Sequence, residues 1–147
     1  MKRTIVVAGA LLLGAGAVMA QQEIAVQQDN LMRSQAKSLY DVIQKMSKGN
    51  IPYNQKQVDQ ALAALEADVA KIEKTFEVNP KQDVVNATYG ASQKVWQNKA
   101  DFDSKIPPVQ KAIADAKVHN VATLKAAYTR INDRCNDCHE TYRVKLK

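Results

Sequence analysis

Cysteine and histidine are scarce in this chain, which has two of each among 147 residues. No segment alternates apolar and polar residues as a half-buried β-strand does, and there is no internal repeat or low-complexity segment. Although the formal charge is +6, the basic residues are scattered among acidic ones and form no arginine-rich run with interleaved aromatic residues. These absences disfavour a sheet-based fold, a repeat architecture and nucleic-acid binding.

The scarce residues are concentrated in one motif near the C-terminus, Cys135-Asn136-Asp137-Cys138-His139. Its C-x-x-C-H pattern is typical of covalent attachment of a c-type haem. On a helix, residues three and four positions apart share one face, so both thiols can add to the haem vinyl groups while the imidazole reaches the iron. We therefore expect one covalent haem c on Cys135 and Cys138. His139 is predicted to be the proximal iron ligand through Nε2, with Nδ1–H held by a backbone or water acceptor.

Other roles for the Cys135–Cys138 pair fit less well. A thioredoxin-like redox pair occurs beside a βαβ pattern, which this sequence lacks. A structural zinc site needs four ligands, and beyond the motif only His119 remains as an imidazole or thiolate, so carboxylates would have to complete the set. A plain disulfide would leave His139 without a role. A haem-free helical thiol oxidoreductase stays open as a weak alternative that predicts a colourless protein.

The N-terminus has the features of a secretory signal peptide. Lys2 and Arg3 form a positive region, an apolar stretch of small residues follows, and residues 17–20 (AVMA) supply an A-x-A-like cleavage site. We predict that residues 1–20 are removed and that residues 21–147 form one domain without a membrane span. An uncleaved membrane anchor is the alternative.

Export also fits the cysteine usage. The thiols must be reduced when haem is attached, and the finished thioethers leave no free cysteine to oxidise. We therefore predict a periplasmic protein. Loss of Lys2 and Arg3 lowers the formal charge from +6 to +4, and a mildly basic surface favours acidic redox partners.

Four amphipathic helices with mostly short connections are predicted after the signal peptide. Such a pattern indicates an all-α fold, an antiparallel four-helix bundle with the haem motif on the core face of its last helix. The predicted helices span about residues 22–48, 54–75, 92–118 and 120–145, and residues 77–91 form a long loop. The apolar seam of the first helix, with spacings of three and four, consists of Met32, Ala36, Leu39, Ile43 and Met46.

Local residue chemistry sets several of these helix boundaries. Asn54 and Asn120 are predicted to be the N-caps of the second and fourth helices. Adjacent Pro107 and Pro108 remove backbone donors and disfavour a helical Ile106, so we expect the third helix to kink or break there and to continue from about Pro108.

At this point the chain resembles the cytochrome c′ and cytochrome c556 family of class II c-type cytochromes, over essentially all of residues 21–147. The resemblance is carried by the C-x-x-C-H motif with the following Tyr142 and Arg143, by residues 48–53 (KGNIPY) and by Val95-Trp96 with Phe102. The position of the motif near the C-terminus is itself typical of class II. The resemblance implies a periplasmic monohaem electron carrier rather than an enzyme.

Members of this family differ on the distal side of the haem. In c556-type members, a methionine of the first helix is a sixth iron ligand, whereas c′-type members leave the iron five-coordinate and able to bind nitric oxide or carbon monoxide. Because the first and fourth helices of the predicted bundle are antiparallel, the start of the first lies beside the end of the fourth. At a rise of about 1.5 Å per residue, Met32 is about 15 Å from the start of the first helix, and His139 is about 9 Å from the end of the fourth. Met46 is about 36 Å from the start of the first helix and is therefore too far from His139. Met32 is therefore the predicted sixth ligand, although it could be seam packing and Arg33 is the alternative at this position.

Several neighbours of the motif are candidates for weaker roles. Arg143, four residues after His139, could lie beside the proximal imidazole or a haem propionate, or cap a solvated helix end. Trp96 and Tyr142 could contact the haem or fill the core, and His119 is expected at the surface. Family members often dimerise through their first two helices. Leu31 and Tyr40, expected to be exposed, would permit such a homodimer.

Overall fold

The computed structural model describes the backbone of residues 11–147 and the side chains of residues 18–147. Lys2, Arg3 and the start of the predicted signal peptide lie outside the described residues. The predicted cleavage point at Ala20 falls within a continuous helix. Within the described residues, no helix has the length and apolar character needed to cross a membrane.

The chain forms the predicted helical bundle, with each bundle helix made of one to three segments. The first contains α1 (Leu11–Ala36), a π-helical segment (Lys37–Gln44) and α2 (Lys45–Ser47). The second contains α3 (Gln55–Val69) and α4 (Ile72–Thr75), and the third contains α5 (Lys94–Gln97), α6 (Lys99–Ser104) and α7 (Ile106–Ala114). The fourth is α8 (Val121–Tyr142). Two short strands complete the fold, β1 (Tyr89–Ala91) and β2 (Arg143–Lys145).

The core lies along the predicted apolar seams. The π-helical segment contacts α3 and α8, α3 contacts α7, and α7 contacts α8. Leu39, Ile43 and Met46 of the first seam are buried. Burying each such side chain contributes about 1.5–3 kcal/mol, which makes this seam a main source of bundle stability.

Both predicted N-caps are confirmed. Asn54 accepts a hydrogen bond from the Gln57 backbone N–H at 3.0 Å. Asn120 accepts from the Thr123 N–H at 2.9 Å, and the Thr123 hydroxyl oxygen accepts in return from the Asn120 N–H at 3.1 Å, a reciprocal capping box. Because these bonds satisfy orphan donors at the helix ends, the caps fix where the second and fourth helices begin.

The third bundle helix is more interrupted than predicted. Its expected break near Pro107 and Pro108 lies at Lys105. Ile106, which was expected not to be helical, is the first residue of α7, and both prolines lie in the first turn of this helix. A proline there loses nothing, since the first helical N–H groups have no intrahelical partner. The structure adds a break at Asn98, between α5 and α6, and α7 ends at Ala114 rather than near Val118.

The two strands and the π-helical segment were not predicted. β1 and β2 pair antiparallel, with Gly90 opposite Val144, so the fourth helix ends at Tyr142 rather than near Lys145. A Cβ at Gly90 would collide with the Asp83 carboxylate, so a larger residue at this position would require the exposed Asp83 side chain to move. Three-residue strands are too short to show alternation, and they form here because the C-terminus folds back onto the loop before the third helix.

Candidate functional site

A cavity of about 460 Å³ lies between the helices at the end of the bundle where α8 ends. Its walls come from α1, the π-helical segment, α4 to α8, the loop after α4 and both strands. All seven residues predicted for the site line this cavity: Met32, Trp96, Cys135, Cys138, His139, Tyr142 and Arg143.

The two thiols lie on one face of α8, as their spacing predicts. Both are half-buried and free, and Cys135 and Cys138 pack against the core. Burial raises the pKa of each thiol to about 11. Neutral thiols at neutral pH are poor nucleophiles, so this environment does not suit a cycling thiol–disulfide pair.

His139 is neutral in this setting. Burial, assisted by the positive charge of Arg143, lowers the pKa of the imidazole to about 4. A neutral imidazole is the form that ligates a metal. The sequence predicts an acceptor for Nδ1–H, but within the described residues Nδ1 is buried and has no protein acceptor.

Met32 of the first bundle helix lines the cavity. Met46 is buried in the core, 1% exposed, and does not line the cavity. Arg33 borders the cavity, but its side chain is 65% exposed and its Nε donates to Asp29 at 2.6 Å. Of the two alternatives from the sequence, Met32 is therefore the one whose side chain packs against the core.

Gln35 was missed by the sequence reasoning. It lines the cavity one turn after Met32, and its Nε2 is buried without a hydrogen-bond acceptor in the described part of the chain. A polar residue three positions after Met32, and therefore on the same face of the helix, was the available signal.

Trp96 and Tyr142 are fixed by hydrogen bonds as well as by packing. Trp96 Nε1 donates to the Phe76 carbonyl at 3.0 Å. The Tyr142 hydroxyl donates to the Asp101 carboxylate, and the Tyr142 ring meets Phe102 edge-on with 5.2 Å between centroids. Both side chains are therefore held in place by other residues of the protein.

Arg143 is the first residue of β2, and its guanidinium stacks on the ring of Tyr89, 4.7 Å from the centroid. The sequence did not indicate Tyr89, because the contact depends on the pairing of β1 with β2. Arg143 lies close enough to influence the pKa of His139 and of Tyr40. It therefore contributes positive charge at the edge of the cavity.

Other predicted positions have simpler outcomes. His119 is exposed and outside the cavity, as expected. The expectation that Leu31 and Tyr40 are exposed is wrong: Leu31 is buried in the core, and Tyr40 is half-buried with its hydroxyl donating to Asn132 at 3.2 Å. A homodimer remains untested and gains no support from these two side chains.

The site fits the covalent haem that the motif predicts. Ligand cavities commonly measure about 300–1,000 Å³ and are largely apolar with a few polar groups, which describes this aromatic-walled cavity of about 460 Å³. The neutral imidazole and the two adjacent thiols face it together. Zinc fits less well, because within residues 18–147 no three His, Cys, Asp or Glu side chains, those of the motif included, are arranged so that they could hold one metal ion.

Comparisons with known proteins agree with this assignment. The family model described as Cytochrome C′ matches residues 22–143. The chain is 78% identical to cytochrome c-555 of Bradyrhizobium diazoefficiens over 100% of both chains, and 38% identical to cytochrome c-556 of Rhodopseudomonas palustris over 99% of both. Its fold is similar to a structural model of oxidized R. palustris cytochrome c556, with TM-score 0.71 and 31% identity over 86% of this chain and 99% of that one. The chain therefore belongs to the cytochrome c′ family, a family of haem carriers rather than enzymes, and carries one covalent haem c.

Proposed function

We propose that this protein is an exported electron carrier whose haem is attached through Cys135 and Cys138, with His139 and Met32 as the residues that would hold the iron. One observation carries the proposal: Met32 lines the same cavity as the motif, whereas Met46 is in the core. Similarity to cytochromes c-555 and c-556 supports it. Bound haem supplies reversible one-electron chemistry at the iron.

The chain's own side chains suit this role. The cavity walls are mostly apolar and aromatic, which limits water access and favours the less charged, ferrous state. Ligation of the iron by methionine and histidine would stabilise the ferrous state further. Export to the periplasm, with cleavage after Ala20, is part of the same proposal and is tested by the mass of the mature chain.

The absorption spectrum of the purified holoprotein tests the ligand assignment. Sharp, resolved α and β bands after dithionite reduction are expected for low-spin, six-coordinate haem. The substitution Met32→Leu removes the sulfur with little change of volume and should give a broad, high-spin spectrum. Met46→Leu is the matched control and should leave the spectrum unchanged. Low-spin bands that persist in Met32→Leu would reject Met32 as the ligand.

A gas-binding function is the second candidate, and Gln35 is the observation that favours it. Its buried Nε2 has no protein acceptor in the described residues and lines the cavity beside Met32, so it could donate to nitric oxide or carbon monoxide on a five-coordinate iron. This function predicts a high-spin wild type, with carbon monoxide affinity that Met32→Leu leaves unchanged and Gln35→Leu weakens. A low-spin wild type would exclude an open distal site.

A further inference from the structure

Positive side-chain charge is concentrated on two segments at the edge of the cavity, residues 79–94 and 143–147, which we call the lip. The lip contains five cationic side chains and one carboxylate, Asp83, so its net side-chain charge is +4. The cationic residues are Lys81, Lys94, Arg143, Lys145 and Lys147, and all five are exposed.

The rest of the domain is neutral by the same count. The formal charge of +6 becomes +4 without Lys2 and Arg3, and the lip alone supplies that +4. Outside the lip, residues 21–147 contain 14 cationic and 14 acidic side chains, which cancel. The charge asymmetry of the domain therefore lies at the cavity edge and not over its whole surface.

The lip cations also differ from most of the 14 cations outside the lip, eight of which lie within ion-pair distance of a carboxylate. Elsewhere on the helices, cations such as Lys45, Lys99 and Lys111 pair with a carboxylate four residues away. None of the five lip cations has an ion-pair partner among the residues that the structure describes. Their charge is consequently available to an external anionic surface.

Hydrogen bonds hold the two segments of the lip together. β1 and β2 place Lys145 opposite Tyr89. Lys147 Nζ donates to Asn86 Oδ1 at 3.0 Å and so joins the two segments, while Asn79 Nδ2 donates to Gln93 Oε1 at 2.7 Å within the first segment. The cations thus form one surface, although about 50 residues separate its two segments in the sequence.

This surface borders the cavity and contains apolar side chains. Tyr89 and Arg143 line the cavity and are also exposed, Tyr89 by 48%, which places them at the margin between cavity and solvent. Val85 and Val144 are exposed apolar residues among the lysines, by 74% and 41%. Apolar contacts surrounded by charged residues are the usual composition of a transient protein interface.

We propose that the lip is the docking surface for an acidic redox protein, which exchanges one electron with the haem across the margin formed by Tyr89 and Arg143. This proposal rests on the proposed electron-carrier function. Uncompensated charge of one sign steers an oppositely charged partner and orients it. Here that orientation brings the partner to the side of the domain where the cavity meets solvent.

The test compares two charge-reversal variants of equal net charge. Lys145→Glu/Lys147→Glu changes the lip. Lys56→Glu/Lys125→Glu changes two exposed lysines outside it that have no ion-pair partner in the part of the chain that the structure describes. Lys125 is 14 residues before His139 on α8, about 21 Å along the helix. The probe is an acidic flavodoxin in its oxidised form, titrated into oxidised holoprotein at low ionic strength and followed by NMR, so that binding is measured without electron transfer.

We expect the lip variant to bind flavodoxin about tenfold more weakly than the wild type and the control variant to change much less, with both differences shrinking as salt is added. Equal weakening in both variants would mean that only net charge matters and would overturn the proposal, as would absence of binding to the wild type.

A separate measurement distinguishes failure of the proposed function from failure of the docking surface. The anionic flavodoxin hydroquinone gives one electron to the ferric haem and becomes the neutral semiquinone, without proton transfer. Hexacyanoferrate(III) takes one electron from the ferrous haem in the same way. If the wild type exchanges electrons slowly with hexacyanoferrate, the carrier function fails. If this exchange is fast but the two variants bind flavodoxin alike, only the docking surface fails.

Discussion

Arg143 is held by an aromatic ring and not by a carboxylate, and this has electrostatic consequences at the residue scale. Its guanidinium lies 4.7 Å from the centroid of Tyr89 and makes no ion pair within the described residues. A carboxylate partner would neutralise the guanidinium charge, whereas a ring positions it without neutralising it. The charge consequently still acts on the cavity, where it helps to lower the pKa of His139.

We predict that Tyr89 contributes to the redox potential by positioning Arg143. A positive charge near the iron disfavours the ferric state, so Tyr89→Leu, which lets the guanidinium turn into solvent, should lower the midpoint potential by on the order of tens of millivolts. Tyr89→Phe keeps the ring and should retain the wild-type potential. Potentiometric titration at low ionic strength measures all three proteins.

Tyr89→Leu in an Arg143→Gln background is the control for this prediction. If Tyr89 acts through Arg143, the additional effect of Tyr89→Leu should disappear once the charge is gone. An undiminished fall in potential in that background would show that the ring acts in another way, for example by excluding water from the cavity.

Residue chemistry explains which parts of the site were predictable from sequence. Cys135, Cys138 and His139 are adjacent in sequence, so their juxtaposition follows from helix geometry alone. Met32 was predictable only with the bundle topology, because it faces them from another helix. Tyr89 was not predictable, since it reaches Arg143 through two strands of three residues each.

At the scale of the helices, the buried carboxylate of Asp68 links the first two bundle helices. Asp68 on α3 is 8% exposed; it accepts from the Ser34 hydroxyl of α1 at 2.6 Å and from Lys71 Nζ at 2.9 Å. Burial alone would raise the pKa of this carboxyl, but the bonds from Ser34 and Lys71 outweigh it and the pKa is lowered. The charged form of Asp68 therefore stabilises the bundle.

We predict that Asp68→Asn destabilises the holoprotein by about 1–3 kcal/mol at pH 7, because the hydrogen bonds to a charged acceptor are lost. The folded pKa is below the unfolded value of about 3.9, so the stabilisation is present above about pH 4 and is lost as the pH falls through the folded pKa. Urea unfolding at pH 7 and pH 3 should show a difference between variant and wild type that shrinks at pH 3.

Ser34→Ala and Lys71→Ala separate the two hydrogen bonds to Asp68. Ser34→Ala leaves a buried acceptor less satisfied and should also destabilise, whereas Lys71 is 61% exposed and its removal should have an effect within about 0.5 kcal/mol. A difference between Asp68→Asn and wild type that is the same at both pH values would contradict the role of the charge.

The boundaries of the helices show where sequence information is sufficient. The N-caps Asn54 and Asn120 were predicted because a cap involves only the next three residues. The π-helical segment Lys37–Gln44 was not, because its side chains are fixed by contacts with α8, including the bond from Tyr40 to Asn132. Local patterns predict where helices begin, whereas tertiary contacts decide how they are distorted.

At the scale of the whole molecule, the sequence predicts the bundle and its net charge but not the distribution of that charge. The four seams and short connections were enough for the architecture. The charge of +4 becomes one surface only because residues 143–147 fold back onto the loop before the third helix. This folding back depends on a contact between segments about 50 residues apart in the sequence. Neither composition nor hydrophobic periodicity predicts such a contact.

The cavity volume leads to a prediction for the chain without haem. Without haem, the apolar walls of this cavity of about 460 Å³ would face water instead of packing against the macrocycle. The total stability of a domain is only about 5–15 kcal/mol. We therefore expect the helices around Cys135 and His139 to lose their fixed spacing when haem is absent.

We predict that Cys135→Ser/Cys138→Ser, produced without haem, retains helical far-UV circular dichroism but loses near-UV signals, binds the dye ANS and melts without a cooperative transition. The matched control is the same variant after addition of free haem, which His139 and Met32 can still hold without thioethers. Restored cooperative melting in this control would attribute the loss to the unfilled cavity and not to the serines. A haem-free variant that melts cooperatively near the holoprotein's Tm would show instead that helix packing alone specifies the bundle.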